Sequence, residues 1–182
     1  MAACYRKIAH LCLQNSTGTH RMIDIRAMTA QDWPAVETIY REGIDAGTAT
    51  FEIATPTWPA FDAAHLPGCR LVILHDGVLQ GWAALSPYSA RHVYRGVAIV
   101  SIYIAAAARG LGLGRKLLDA LIVESENAGL WTLQAGIFES NAASLRLHAN
   151  AGFRIVGVRE RLGQLHGRWI NVVLLERRSS AI

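Results

Sequence analysis

Cysteine is scarce in this chain and shows no pattern. Cys4, Cys12 and Cys69 are odd in number and include no C-x-x-C pair, so neither a disulfide framework nor a zinc site is implied, and the compartment reads as reducing. Long apolar runs are missing as well. Residues 97–108 form an apolar stretch that ends on Arg109, short of the roughly 20 residues a membrane-crossing helix needs. A soluble, cytoplasmic protein without membrane contact is expected. The histidines are dispersed, with no H-E-x-x-H and no paired-carboxylate cluster, so no metal is expected. Charge of one sign never accumulates either. The net charge is +4, but arginines alternate with glutamates, as in Arg159-Glu160-Arg161 and Glu176-Arg177-Arg178, which argues against nucleic acid as a partner.

What is present is apolar patterning. With 182 residues and 52% hydrophobic content the chain fills one ordinary globular domain. Arg6 and Lys7 precede an interrupted apolar stretch without a small-residue cleavage pattern, so residues 1–21 read as a loosely ordered N-terminal extension and not as a secretory signal. The domain is expected over 22–178, with 179–182 as a tail. Residues 22–28 alternate as a half-buried strand does, and Thr29 with Asp32 supplies a capping box. The helix predicted there buries Trp33, Val36, Ile39 and Tyr40 and stops at Gly43. A short helix is expected over 59–65. Residues 70–74 and 78–85 read as antiparallel strands joined at Asp76-Gly77. Residues 97–104 are apolar nearly throughout, which predicts a central strand covered on both faces. Leu113, Leu117, Leu118, Leu121 and Ile122 then make one helical face, closed by Gly129. A strand is expected over 131–138, a helix from Asn141 to Gly152, and two strands, 153–162 and 168–175, around a loop holding Gly163 and Gly167. This order is mixed α/β.

Arg109-Gly110-Leu111-Gly112-Leu113-Gly114 lies between an apolar strand and an amphipathic helix, so free peptide N–H groups would face outward at a helix N-terminus, where an anion is favoured. A Cβ in such a loop blocks positive φ angles and close approach of phosphate oxygens; taken alone, the cluster reads equally as a helix start that merely needs a tight turn. Gly114-Arg115-Lys116-Leu117 lacks the Gly-Lys-Ser/Thr of a P-loop, and no acidic residue follows at the spacing a dinucleotide fold requires.

Arg109, Gly112 and Gly114 match the pattern Q/R-x-x-G-x-G/A. Ser101-Ile102-Tyr103-Ile104 is similar to S-V-Y-V, and the run from Asn141 through Ser144, Leu147 and His148 to Gly152-Phe153 is similar to N-x-x-S-x-x-L-H/Y-x-x-x-G-F. On these motifs, in this order, the chain resembles the GNAT superfamily of acetyltransferases. The resemblance implies a mixed central sheet with helices on both faces and acetyl-CoA bound beside the central strand. It assigns the backbone of Ile102, Tyr103 and Ile104 to the pantetheine arm and Arg109, Gly110, Leu111, Gly112, Leu113 and Gly114 to the pyrophosphate. Asn141 and His148 complete that site.

Within the superfamily the chain is similar to the branch acting on phosphinothricin, methionine sulfoximine and arsinothricin, through 48–52, 90–94 and Gly167-Arg168-Trp169. This implies a small-molecule amine as acceptor, a homodimer, direct transfer in a ternary complex, and Phe51, Arg91 and Tyr94 on the acceptor side; Arg91 reads equally as a solvated loop arginine. The branch usually carries a glutamate base where this chain has Ile99. An acceptor α-amine has a pKa of about 8 and must lose a proton. Glu52, His92, Glu139 or a water chain are the substitutes the sequence offers. His148 is placed to protonate the departing thiolate, or is simply a satisfied helix histidine; Tyr103 lines the acyl pocket, or simply packs. Trp82, Trp131 and Trp169 read as core or dimer-contact aromatics. A weak or inactive acyl-CoA sensor and a peptide or protein N-terminal acetyltransferase remain the alternative readings.

Overall fold

The computed structural model describes residues 22–182; the expected extension over 1–21, with Cys4 and Cys12, lies outside them. β1 (Ile23–Ala27) leads into a 3-10 turn, Ala30–Asp32, and then α1 (Trp33–Asp45). The capping box forms here: the Thr29 N–H donates to Asp32 Oδ2 at 2.8 Å, while Arg26 donates to both Asp32 oxygens at 2.8 and 2.7 Å. That paired guanidinium, with the Thr29 bonds, holds the Asp32 carboxyl down at about 2. Gly43 does not stop α1, contrary to expectation. The helix runs on to Asp45, and Gly47, at φ 65°, takes the left-handed position after it. At Gly43 a Cβ would lie 2.5 Å from the Tyr103 ring, so the residue is small to let α1 sit on the sheet.

α2 (Trp58–Ala64) starts one residue earlier than expected, with proline in its first turn. β2 (Arg70–His75) and β3 (Val78–Pro87) form the expected hairpin, with Asp76 and Gly77 both at positive φ. β4 (Val97–Ile104), α3 (Leu113–Asn127), β5 (Thr132–Phe138), α4 (Ala142–Asn150), β6 (Arg154–Leu165) and β7 (Arg168–Arg178) follow. The loop expected around Gly163 is absent: the turn is His166-Gly167 at φ 48° and 75°, and Gly163 pairs with Ile170 inside the ladder. Ser179, expected in a tail, is buried and donates to Glu126 at 2.9 Å.

The strands form one seven-stranded sheet in the order β1-β2-β3-β4-β5-β7-β6. Only β4 and β5 run parallel. α3 and the α4 leucines pack on one face with Leu71, Ile73, Ala98 and Ile102, whereas α1 and α2 cover the other with Trp82 and Tyr103. Among the described residues no helix is long and apolar enough to cross a membrane, and no group of three or more His, Cys, Asp or Glu is gathered as for a metal. β4 is central as expected, but Ile99 is exposed and the residues after it are only partly buried. The reason is topological. Its ladder with β5 covers only Val97 to Ile99, after which the two strands part.

Candidate active site

Where β4 and β5 diverge, the backbone of residues 100–104 has no strand partner on its β5 side. Unpaired strand N–H and C=O groups require a partner, and an extended amide-bearing chain can supply one. Against this opening lies a cavity of about 620 Å³, within the usual range for small-molecule sites. Its base is residues 99–103 and 135–138, its walls the loop 49–54, α2, α4 and the middle of β6.

The glycine loop sits at the C-terminal end of β4. Gly110 and Gly112 have φ of 80° and 76°, and nothing lies within 4 Å of where their Cβ atoms would be. Gly112 is the N-cap of α3, and no side chain caps that end, so the first-turn N–H groups lack intrahelical partners. Leu113 points its side chain into the core, leaving only its amide available to a ligand. A Cβ at Gly114 would lie 3.5 Å from Ile104 and Leu147, so the helix start nestles between β4 and α4. An open cradle of amides at a positive dipole end, beside an unzipped strand, suits a diphosphate with an amide-bearing arm.

α4 carries the buried histidine. His148 is 2% exposed, and its Nδ1 lies 2.9 Å from the Ser144 carbonyl oxygen. A carbonyl only accepts, so Nδ1 is assigned the proton and Nε2 is left as a bare lone pair. Nε2 is buried without a hydrogen-bond partner among the described residues. Burial lowers the imidazole's pKa, with the Ser144 bond opposing; the ring is neutral near pH 7. Asn141 caps α4 by accepting from the Ser144 N–H at 3.1 Å and donates to the Thr48 carbonyl at 3.2 Å, tying the loop between α1 and α2, residues 46–57, to α4.

Tyr103 faces the α1 side. Its ring is stacked on Trp82 at 4.7 Å and tilted against Tyr40 at 4.9 Å. Burial, then the neighbouring Tyr40, raises its phenol pKa despite a bond from Thr50, and Glu52 pushes the same way. The hydroxyl therefore stays a protonated donor. Glu52 itself lies on the cavity wall next to Phe51, which packs on Phe138 at 4.7 Å.

Of the residues expected to contact ligands, Ile102, Tyr103, Asn141, His148, Phe51 and Glu52 line the cavity, as does Ile99. Arg91 and Tyr94 do not, and Ile104 and the glycine loop, residues 109–114, lie outside the lining as well. The Arg91 guanidinium lies 5.5 Å above the Tyr94 ring, which in turn packs edge-on to Tyr88. His92 and Glu139 also lie outside the lining, Glu139 accepting from Asn171 at 2.9 Å. Sequence reasoning missed Arg159, Leu162 and His65, which the cavity includes. Arg159 and Leu162 reach it through an irregularity in β6 that alternation cannot reveal.

The family model for the acetyltransferase (GNAT) family matches residues 28–153. The phosphinothricin N-acetyltransferase of Alcaligenes faecalis is 39% identical over 161 residues, covering 84% of this chain and 81% of that protein. The L-methionine sulfoximine/L-methionine sulfone acetyltransferase of Pseudomonas paraeruginosa is 33% identical over 159 residues, 84% of this chain and 92% of its own. A crystal structure of a GNAT superfamily phosphinothricin acetyltransferase from Sinorhizobium meliloti in complex with acetyl-CoA superposes with a TM-score of 0.79 at 30% identity, covering 86% of this chain and 88% of that one. Since the matched span runs from the end of β1 through the parted strands and the glycine loop to the close of α4, this chain belongs to the GNAT acetyltransferase family.

Proposed function

We propose that the protein is an N-acetyltransferase that uses acetyl-CoA to acetylate the amine of a small amino-acid-like acceptor, of the phosphinothricin or methionine sulfoximine type, by direct transfer in a ternary complex. The observation that carries this reading is the parting of β4 from β5 beside an uncapped, glycine-bearing helix start. Acetyl-CoA, when bound, supplies the acetyl group as an activated thioester. The amides of the glycine loop and Arg109 hold its diphosphate, the free edge of Ile102 to Ile104 aligns its arm, and Asn141 fixes the adjoining wall.

Two protons must leave the acceptor nitrogen as the N–C bond forms and the C–S bond breaks. Of the candidate bases, Glu52 is the one on the cavity wall, and in this reading it takes the ammonium proton as the acceptor settles. His148 cannot begin as an acid, because its bare Nε2 has no proton to give. It accepts the second proton from the attacking nitrogen and passes it to the departing sulfur. Tyr103, a permanent donor, orders the acyl end. No covalent enzyme intermediate is required.

The protein works in the cytoplasm as a homodimer in the same reading. Edge strand β6 supports the second point, with Ile155, Val156, Val158 and Leu162 exposed, and Trp169 on β7 beside them; a solvent-facing apolar edge invites pairing. The test is coenzyme-A release by the purified protein over a panel of amino-acid analogues and short peptides, with particle mass measured in parallel. Turnover of phosphinothricin or methionine sulfoximine above every peptide is expected. Peptides outperforming amino acids, or no release with any amine, overturns it.

A further inference from the structure

We infer that Arg159, brought into the cavity by a bulge in β6, is the anchor for the acidic group of the acceptor and sets the preference for acids over otherwise identical amides. The inference rests on the proposed acetyl transfer to an amino-acid-like amine and names the residue that selects for it.

The bulge is built in. Arg159 pairs with Val172 and Gly163 with Ile170, so three residues of β6, 160–162, stand opposite the single Asn171 of β7. Arg161 adopts φ 49° at that point, and its N–H donates to Asn171 Oδ1 at 2.9 Å, while Asn171 Nδ2 donates to Glu139 at 2.9 Å. Such a pinned bulge re-aims the side chains at its ends, and both Arg159 and Leu162 line the cavity. A Cβ at Gly163 would come within 2.9 Å of the Phe51 ring, so the bulge also seats the segment that carries Glu52.

Charge completes the argument. Arg26, Arg41, Arg115 and Arg177 are each spent on a carboxylate within the fold. The Arg159 side chain makes no ion pair and no side-chain hydrogen bond among the described residues. Glu52 and Arg159 are the cavity's two charged side chains, since His65, the other ionisable base there besides His148, is held toward neutrality by burial. One anion and one cation match an ammonium and an acid on the same small molecule. A guanidinium is the side chain that takes a carboxylate or phosphinate through two parallel N–H bonds. Arg91, the sequence-level candidate for this task, lies outside the cavity on Tyr94.

The test compares Arg159→Gln, Arg159→Lys and Arg91→Gln with the native protein. Binding of L-methionine sulfoximine and of its α-carboxamide to coenzyme-A-saturated protein is measured by calorimetry, and turnover of both by coenzyme-A release. The native protein should bind the acid at least tenfold better than the amide. Arg159→Gln should raise the acid's Kd and KM about 10- to 100-fold, leave the KM for the amide and for acetyl-CoA unchanged, and abolish the discrimination; Arg159→Lys should keep part of it and Arg91→Gln all of it. An acid-to-amide ratio that survives Arg159→Gln, or a native protein that binds both alike or neither, overturns the assignment. Turnover of acid and amide alike would still leave acetyl transfer standing. Absence of turnover with any amine sinks acetyl transfer instead, and the calorimetric comparison decides Arg159 by itself.

Discussion

Replacing Glu52 by glutamine isolates the proton problem that Ile99 creates. The side chain is exposed on the cavity wall, and only its backbone N–H is engaged, by Thr50 Oγ1 at 3.0 Å. Removing its charge thus strands no buried partner, and stability should change by less than about 0.5 kcal/mol. At pH 7 an α-amine with a pKa of about 8 is roughly one-tenth free base, so a variant drawing on that minority loses about tenfold from population alone. Loss of the positioned base brings the total to about a hundredfold or more in kcat. The deficit should shrink about tenfold between pH 7 and pH 9, as solvent takes over deprotonating the acceptor, and keep the part due to the lost positioned base. Steady-state kinetics against pH, with acetyl-CoA saturating, reads this directly. Ile99, 37% exposed at the point where β4 and β5 part, gives a second arm: Ile99→Glu placed on top of Glu52→Gln should restore turnover, because a carboxylate there is wet enough to ionise and faces the same cavity. A Glu52→Gln enzyme with native kcat at pH 7, or with the same fractional loss at every pH, refutes the assignment.

Gly112→Asp should cut acetyl-CoA affinity at least a hundredfold by calorimetry, since aspartate tolerates the left-handed φ of 76° yet sets a carboxylate where phosphate is cradled; unchanged affinity removes the loop from the site. Asp32→Asn should lower stability by about 2 kcal/mol through loss of the Arg26 pair and the cap, a fall of about 4–8 °C in Tm for a domain of this size. The Asp32 contribution is fully present above the unfolded carboxyl's pKa near 4 and is lost as pH falls toward about 2, so native and variant melting curves should draw together below pH 4 and meet near pH 2. His148 and His65 act in the same direction at higher pH. Their folded pKa values are depressed below 6.5, the unfolded chain therefore binds more protons beneath that value, and stability should decline as pH drops through 6. His148→Phe should flatten part of that decline while abolishing the proton relay; a variant with native kcat removes His148 from the chemistry.

The glycine loop and the parted strand, proposed to hold the donor, were legible because they are made of backbone. Positive φ at Gly110 and Gly112, an uncapped helix start and an unzipped strand each need a particular small or apolar residue at a fixed position, and those requirements print a pattern in the sequence. Tight turns were legible for the same reason at Asp76-Gly77. Gly43 and Gly163 were misread because their smallness answers to Tyr103 and Phe51, residues far away in sequence, and not to a local turn. Arg159 was invisible: a bulge shifts register without any composition signal, and within Arg159-Glu160-Arg161 nothing in the chain says which arginine turns inward. Arg91 was attractive by position in its loop, yet the Tyr94 ring lies beneath its guanidinium.

The proposed placement of the base on the loop 46–57, and not on β4, has a structural consequence. A carboxylate at position 99 would be held by the strand ladder itself, whereas Glu52 is only as well placed as its loop. That loop is fixed from two sides. Asn141 holds the Thr48 carbonyl from α4, and Phe51 lies between Phe138 and the Cα of Gly163. Both anchors belong to elements that also build the ligand site, since Asn141 begins the helix carrying His148 and Gly163 closes the bulge carrying Arg159. Ordering α4 around the donor and ordering β6 around the acceptor's acid therefore each tighten the same loop. A geometry of that kind makes the proton acceptor most rigid when both substrates are in place, which is when positioning is worth most to the reaction.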